Sequence, residues 1–356
     1  MRLRDLDLWT VGVVAAGAIV AALIGAALVV FLGLFNVSAR DGHWPGVSWV
    51  LHTTFENSAE LRAPPASEAP ANLDSPAMVA LGAGHFMSGC AMCHGAPGVA
   101  RSATVQQMLP VPPHLSNVSE KFDASELFWI VHNGIKMSGM PAWPANRRDE
   151  VWPVVAFLQA LPEMTPDEYS QLTSSETGFC AVCHGAGGVS ENPHVPRLDI
   201  LSKSYIAQSL AAYKSGARDS GIMAEALSHL PRAAIPDVAA DFAATAPRGS
   251  AAPRTAEFDA GRALAFAEGD SHSVPACRAC HGPWSEPLNP AFPSIAGQHA
   301  PYLEQQLRLW RKGNRGGGRA AELMYKAARD LTDEQISALA AYYSGLAPAR
   351  LNDVAE

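Results

Sequence analysis

Cys90-Ala91-Met92-Cys93-His94, Cys180-Ala181-Val182-Cys183-His184 and Cys277-Arg278-Ala279-Cys280-His281 contain every cysteine of this 356-residue chain. C-x-x-C-H is the attachment signature of c-type haem. Two thiols about one helical turn apart bond the two vinyl groups of the porphyrin, and the adjacent imidazole is placed to ligate the iron. A redox C-x-x-C or half a zinc site is the competing reading. A structural zinc ion needs four ligands, usually from two such pairs, and three pairs do not divide that way. The sequence therefore predicts three covalently bound haem c groups, held by Cys90, Cys93, Cys180, Cys183, Cys277 and Cys280, with His94, His184 and His281 on the irons.

Haem is attached to such motifs on the outer side of the energy-conserving membrane, which predicts export. Leu8 to Phe35 carries no charge and is long enough to span a bilayer with some tilt. A cleaved signal peptide would have an apolar core of about 7–15 residues and a small-residue cleavage site. This stretch is longer, and no convincing A-x-A follows it. Arg2 and Arg4 precede it and favour a cytoplasmic N-terminus, with Asp5 and Asp7 weighing little. The expectation is an uncleaved, single-pass anchor in the inner membrane with the haem domains in the periplasm. Trp44 and Trp49 follow the span, and Trp prefers the membrane interface. Trp49 to Leu61 reads as a short helix on the bilayer or a partner's transmembrane helices, or as an ordinary connector. Arg62 to Pro76, with four prolines, reads as a semi-flexible linker.

Length suits two or three domains. The second and third motifs belong to a repeat. An offset of 97 relates Cys180 to Cys277, Pro196 to Pro293, Leu198 to Ile295, Tyr205 to Tyr302, Leu210 to Leu307 and Gly216 to Gly313. After a four-residue insertion within Asn314 to Arg319, an offset of 101 relates Met223 to Met324, Ile235 to Ile336 and Phe242 to Tyr343. The predicted organisation is a stub and transmembrane anchor (1–40), a juxtamembrane segment and Pro-rich linker (41–75), and three domains at 76–165, 166–247 and 254–348. Ala246 to Pro253 links the last two. The fold class is all-α, with helices over Ala77–Cys93, Ala124–Asn133, Asp149–Leu161, Phe258–Ala267, Pro301–Lys312 and Thr332–Leu346. Asp123 is the N-cap of the second of these, Gly134 its stop, and Pro162 ends the third.

This arrangement resembles tandem class I cytochrome c domains over nearly everything after the linker. The first domain is similar to the single-haem modules of membrane-anchored respiratory cytochromes, whose axial-Met loop Asn133-Gly134-Ile135-Lys136-Met137-Ser138-Gly139-Met140-Pro141 matches. The other two resemble dihaem cytochromes of the c4 type, through Pro293-Ser294-Ile295-Ala296-Gly297-Gln298 and Tyr302-Leu303. Domain two departs from that pattern at Pro196-Arg197-Leu198-Asp199, and Pro231 and Pro236 interrupt its closing helix. The resemblance implies Met140, Met223 and Met324 as sixth ligands, with Met137 the competitor in the first domain, and it implies carbonyls of Pro113, Pro196 and Pro293 on the proximal histidines. A Met sulfur raises the potential, and bis-His ligation would lower it. His85, His114, His132, His194, His229, His272 and His299 read as packing or solvated residues, His85 at the surface and His132 against a propionate. Tyr205 and Tyr302 lie over the haems. Arg218 and Arg315 are candidates for propionates or solvent.

A net charge of −8 argues against nucleic acid. Residues 167–247 hold five basic and nine acidic residues, while Arg308 to Arg319 gathers five basic ones, an asymmetry suited to docking a soluble periplasmic redox protein or simply a solvated surface. Gly313 to Gly318 lacks the Lys-Ser/Thr of a phosphate loop. The reading is an electron-transfer subunit, not itself an enzyme, partnered with a terminal oxidase or a membrane dehydrogenase. The alternative is a haem enzyme, peroxidase-like or acting on small oxyanions, with a labile ligand in domain two.

Overall fold

The computed structural model describes residues 8–228, 230–267, 275–282, 289, 292–318 and 320–350. Arg2, Arg4, Asp5, Asp7, His229, His272 and Arg319 lie outside the described residues. The fold is all-α; among the described residues the one β contact is an isolated bridge between Ala96 and Val99. The first helix, α1 (Leu8–Phe31), is apolar on every face and is not buried against the rest of the described chain, as befits a span. It is long and apolar enough, over Trp9–Phe31, to cross a membrane. Leu32 to Phe35, expected in the span, follow it as turn and bend, with Leu34 N–H donating back to the Val29 carbonyl.

α2 (Val47–Arg62) docks on the first haem unit. Phe55 meets Phe122 edge-on at 5.7 Å, Lys121 pairs with Glu56 at 2.5 Å, and Ala59 is fully buried, while Trp44, Trp49 and Val50 face outward. The Pro-rich stretch after it is not a free tether. Ala69 and Leu73 pack against the first core and Glu68 pairs with Arg148 at 2.9 Å, so two apolar side chains in a proline-stiffened chain lay it down on the unit.

In the first unit α3 (Pro76–Gly89) crosses α5 (Val151–Ala160), with α4 (Ala124–Asn133) beside them. The crossing needs Gly82, since a Cβ there would stand 1.8 Å from the Pro153 carbonyl oxygen. Phe86 and Phe157 meet at 4.9 Å beside it. The predicted helix Ala77–Cys93 breaks at Cys90, and Asp149 and Glu150 fall in a 3-10 turn ahead of α5. α4 has its predicted bounds: Asp123 and Glu126 form a reciprocal capping box, and Gly134 closes it at φ 63°. α6 (Pro166–Thr173), which the predicted boundary gives to domain two, buries Tyr169 in the first core.

The second unit holds α7 (Lys203–Lys214), α8 (Gly221–Ser228) and α9 (Ile235–Ala244), and no leading helix of its own. Its buried apolar cluster is small: Ile200, Leu201, Ile206 and Ala239. A core that size supplies little stability alone, and the neighbours compensate. The outer face of α3 stands where a leading helix would be, so close that a Cβ on Gly84 would be 2.9 Å from the Cys183 sulfur. Pro231 precedes a 3-10 turn, and Pro236 sits in the first turn of α9, where its missing N–H costs no helical hydrogen bond. These prolines start the helix; they do not interrupt it.

The third unit repeats the first crossing: α10 (Ala256–Phe266) over α13 (Asp333–Gly345), with α11 (Ala300–Arg311) and α12 (Ala321–Ala328). Gly261 takes the place of Gly82, its Cβ position 1.9 Å from the Ala338 carbonyl oxygen. The repeat is visible in α7 and α11, both twelve residues long, followed by Gly216 at φ 75° and Gly313 at φ 70°. The connector 246–253 is strapped to both units, with Ala252 N–H donating to Gly345 and the Arg248 carbonyl accepting from Arg197.

Candidate haem sites

Each C-x-x-C-H pentad ends in one helical turn, Ala91–His94, Ala181–His184 or Arg278–His281, closed by a glycine at positive φ: Gly95, Gly185 and Gly282. That turn fixes the imidazole beside both thiols. Its Nδ1 then meets a proline carbonyl in all three units: His94 to Pro113 at 2.8 Å, His184 to Pro196 at 3.1 Å, His281 to Pro293 at 2.9 Å. A carbonyl only accepts, so Nδ1 carries the proton and Nε2 presents its lone pair. Such a contact fixes the tautomer and the ring orientation of a histidine that ligates a metal. Burial pushes the thiols of Cys90, Cys183 and Cys277 up to about 12, about 11 and about 11. Among the described residues no group of three or more His, Cys, Asp and Glu side chains could hold a metal ion.

On the Met side, the loop after α4 is pinned. Ile135 N–H donates to the Met140 carbonyl at 3.1 Å, Met140 N–H donates to Ser138 Oγ at 3.2 Å, and Gly134 admits no Cβ because Pro141 lies 2.5 Å from that position. Met140 is half-buried, while Met137 is 85% exposed. Met223 lies in the first turn of α8 with its N–H on Ser220 Oγ, and Met324 at the matching place in α12, packed on the third core.

The donor set fits haem further through polar atoms left over. His132 stacks on Phe128 with both ring nitrogens buried and no hydrogen-bond partner, and Arg101 Nε is buried without one. A haem propionate would satisfy either. Sequence reasoning missed Arg101; the signal for it is one cation seven residues after His94.

Residues 77–158 match the family described as Cytochrome C oxidase, cbb3-type, subunit III, and residues 258–347 match Cytochrome c. The thiosulfate dehydrogenase electron acceptor of Thiomonas intermedia is 34% identical over 190 residues, covering 52% of this chain and 86% of that one. The chain belongs to the cytochromes c. The namesake from Stutzerimonas stutzeri is 35% identical, covering 55% of this cytochrome and 94% of the relative. Cytochrome c4 of Pseudomonas aeruginosa is 32% identical over 174 residues, covering 48% and 86%. This cytochrome is thus an electron-transfer protein carrying covalent haem c.

The units of the cytochrome are joined by polar contacts. The Gln298 amide accepts from Arg197 N–H at 3.0 Å and donates to its carbonyl at 3.1 Å. Arg218 reaches Tyr302 Oη at 3.4 Å, and Arg315 reaches Tyr205 Oη at 3.3 Å, one contact repeated at offset 97 in the opposite sense. His299, read as a packing residue, bridges to the Ser190 carbonyl at 2.8 Å.

His85, expected at the surface, is 4% exposed beside Trp143, with both ring nitrogens unpartnered. Burial, helped by the Arg147 guanidinium, lowers its pKa to about 3. A histidine so depressed takes up a proton on unfolding. Its contribution is intact above about pH 6.5 and is lost as pH falls toward 3, by up to about 1.4 kcal/mol per pH unit. Acid unfolding of His85→Leu is expected to be less steep than wild type across that window; equal slopes would contradict the burial.

Proposed function

We propose that the chain is a three-haem electron carrier tethered to the inner membrane by α1, with its haem units in the periplasm. The observation that carries this is the same His-to-proline-carbonyl contact in three mutually packed units. Haem c, when bound, supplies a one-electron ferrous/ferric couple. His94, His184 and His281, with Met140, Met223 and Met324, are the residues that would hold the three groups. With a His and a Met engaged at each, the chain would offer substrate no open position, which favours a carrier over an enzyme. The units run from the linker through Thr173, from Cys180 to Thr245, and from Thr255 to Leu346.

The likenesses support a direction. About half of the chain resembles proteins named as thiosulfate dehydrogenase electron acceptors, so a periplasmic dehydrogenase of that kind is the proposed donor. The first unit resembles an oxidase subunit and lies next to the outward-facing Trp44 and Trp49, so electrons leave there for a membrane partner. Contact of Gly84 with Cys183 supports passage between first and second units. Gentle purification of the membrane complex tests this. A co-purifying subunit with copper and a- or b-type haem is the expected result. A flavin, quinone or molybdenum membrane subunit would make the chain a dehydrogenase's exit arm, and recovery alone would make it a free shuttle.

A further inference from the structure

The face where the first unit meets the second is a buried polar junction, and Glu150 is its centre. Glu150 is 7% exposed. Its Oε1 accepts from Ser220 Oγ at 2.6 Å and its Oε2 from Gly221 N–H at 2.7 Å, with Trp143 Nε1 at 3.4 Å from the latter. Arg147, nearly as buried, pairs with Oε1 at 3.1 Å and supplies the countercharge. Ser220 and Gly221 are the start of α8. Ser220 Oγ, while donating to Glu150, also accepts from Met223 N–H at 3.2 Å. One carboxylate of the first unit therefore holds the first turn of the helix that carries Met223 in the second. The fit is tight: a Cβ on Gly221 would stand 2.5 Å from Trp143 Nε1. The surrounding contacts fix the same register, with Asn146 N–H on Asp219 at 3.1 Å and Asn192 Nδ2 on the Ala77 carbonyl at 2.8 Å.

Such an arrangement has no need of a carboxylate for packing alone. A buried charge is costly unless it is paired and hydrogen-bonded, and here Arg147 neutralises it while Ser220 and Gly221 donate to it from the start of α8. The second unit lacks a leading helix and has a small core; it holds the far end of α8 through α7, with Lys214 Nζ donating to the Leu227 carbonyl at 2.7 Å, while the start of α8 is held from the first unit.

We propose that Glu150 is a positioning residue acting across the unit boundary: by fixing the start of α8 it sets Met223 against the second haem, so that docking of the first unit tunes the second. This rests on the reading of Met223 as that haem's ligand. Each Met-ligated ferrous haem gives its own upfield-shifted methionine methyl proton resonance, which makes the site readable one haem at a time.

The test compares the full-length, haem-loaded chain in detergent with Met223→Leu, Glu150→Ala, Ser220→Ala and Glu150→Gln. Met223→Leu is expected to delete one of three resonances and so assign it. Glu150→Ala should shift or abolish that same resonance and lower one midpoint potential, while the Met324 resonance stays in place. Ser220→Ala, which removes one bond without emptying the junction, should displace it less. Glu150→Gln keeps an acceptor for Gly221 N–H and should largely restore it. A Met223 resonance unmoved in the folded Glu150→Ala and Ser220→Ala variants overturns the proposal and leaves the ligand reading standing. A Met223→Leu chain that keeps all its resonances overturns the ligand reading, and the proposal with it.

Discussion

Replacing Met140 with His lowers the midpoint potential of one haem by a sizeable share of the ~0.8 V that axial ligation spans, whereas Met137→Ala leaves all potentials in place. The two sulfurs are three residues apart, and the backbone separates them. Met137 is turned to solvent at φ 60°, and Met140 is half-buried in a loop tied at both its N–H and its carbonyl. Met favours the ferrous state as a soft neutral ligand, and imidazole favours the ferric state, which sets the sign. Optical redox titration of the two variants checks this. A large shift in Met137→Ala, or none in Met140→His, would reverse the assignment.

Gly82→Ala is expected to cost the first unit more than about 3 kcal/mol, beyond the usual range for an overpacked core site. The added methyl would meet backbone, the Pro153 carbonyl oxygen at 1.8 Å, and also Phe157 Cβ at 2.8 Å. Neither can move aside by changing a rotamer, so α3 and α5 must separate along the seam that buries Phe86 and Phe157. Gly261→Ala should do the same to the third unit, against Ala338 and Tyr342 Cβ. Thermal unfolding of the haem-loaded chain should show one early transition in each variant. An unchanged profile would mean the crossing is looser than described.

Much of this was legible because it is written locally. α4 was bounded by Asp123 and Gly134, whose capping and positive φ act on adjacent residues. The repeat announced that Pro196 and Pro293, and Tyr205 and Tyr302, hold matching places; the imidazole contacts of the prolines and the arginine contacts of the tyrosines agree with it. What was not legible depends on docking between units. Glu150 is a polar letter beside a helix-forming stretch, indistinguishable from a solvated one until the second unit's Ser220 and Gly221 meet it, and His85 gives no sign in the sequence of the cover it finds beside Trp143. α6 falls within the predicted domain two, yet Tyr169 finds the first core. Arg218 and Arg315 look like propionate partners, and they reach across to each other's tyrosines.

The most direct test of the account is haem counting with a redox titration on the full-length chain. Three haems per polypeptide are expected, titrating as three one-electron steps, all low-spin and none binding carbon monoxide when reduced. Two haems, or a high-spin haem that takes up carbon monoxide, would contradict a carrier with every axial position filled.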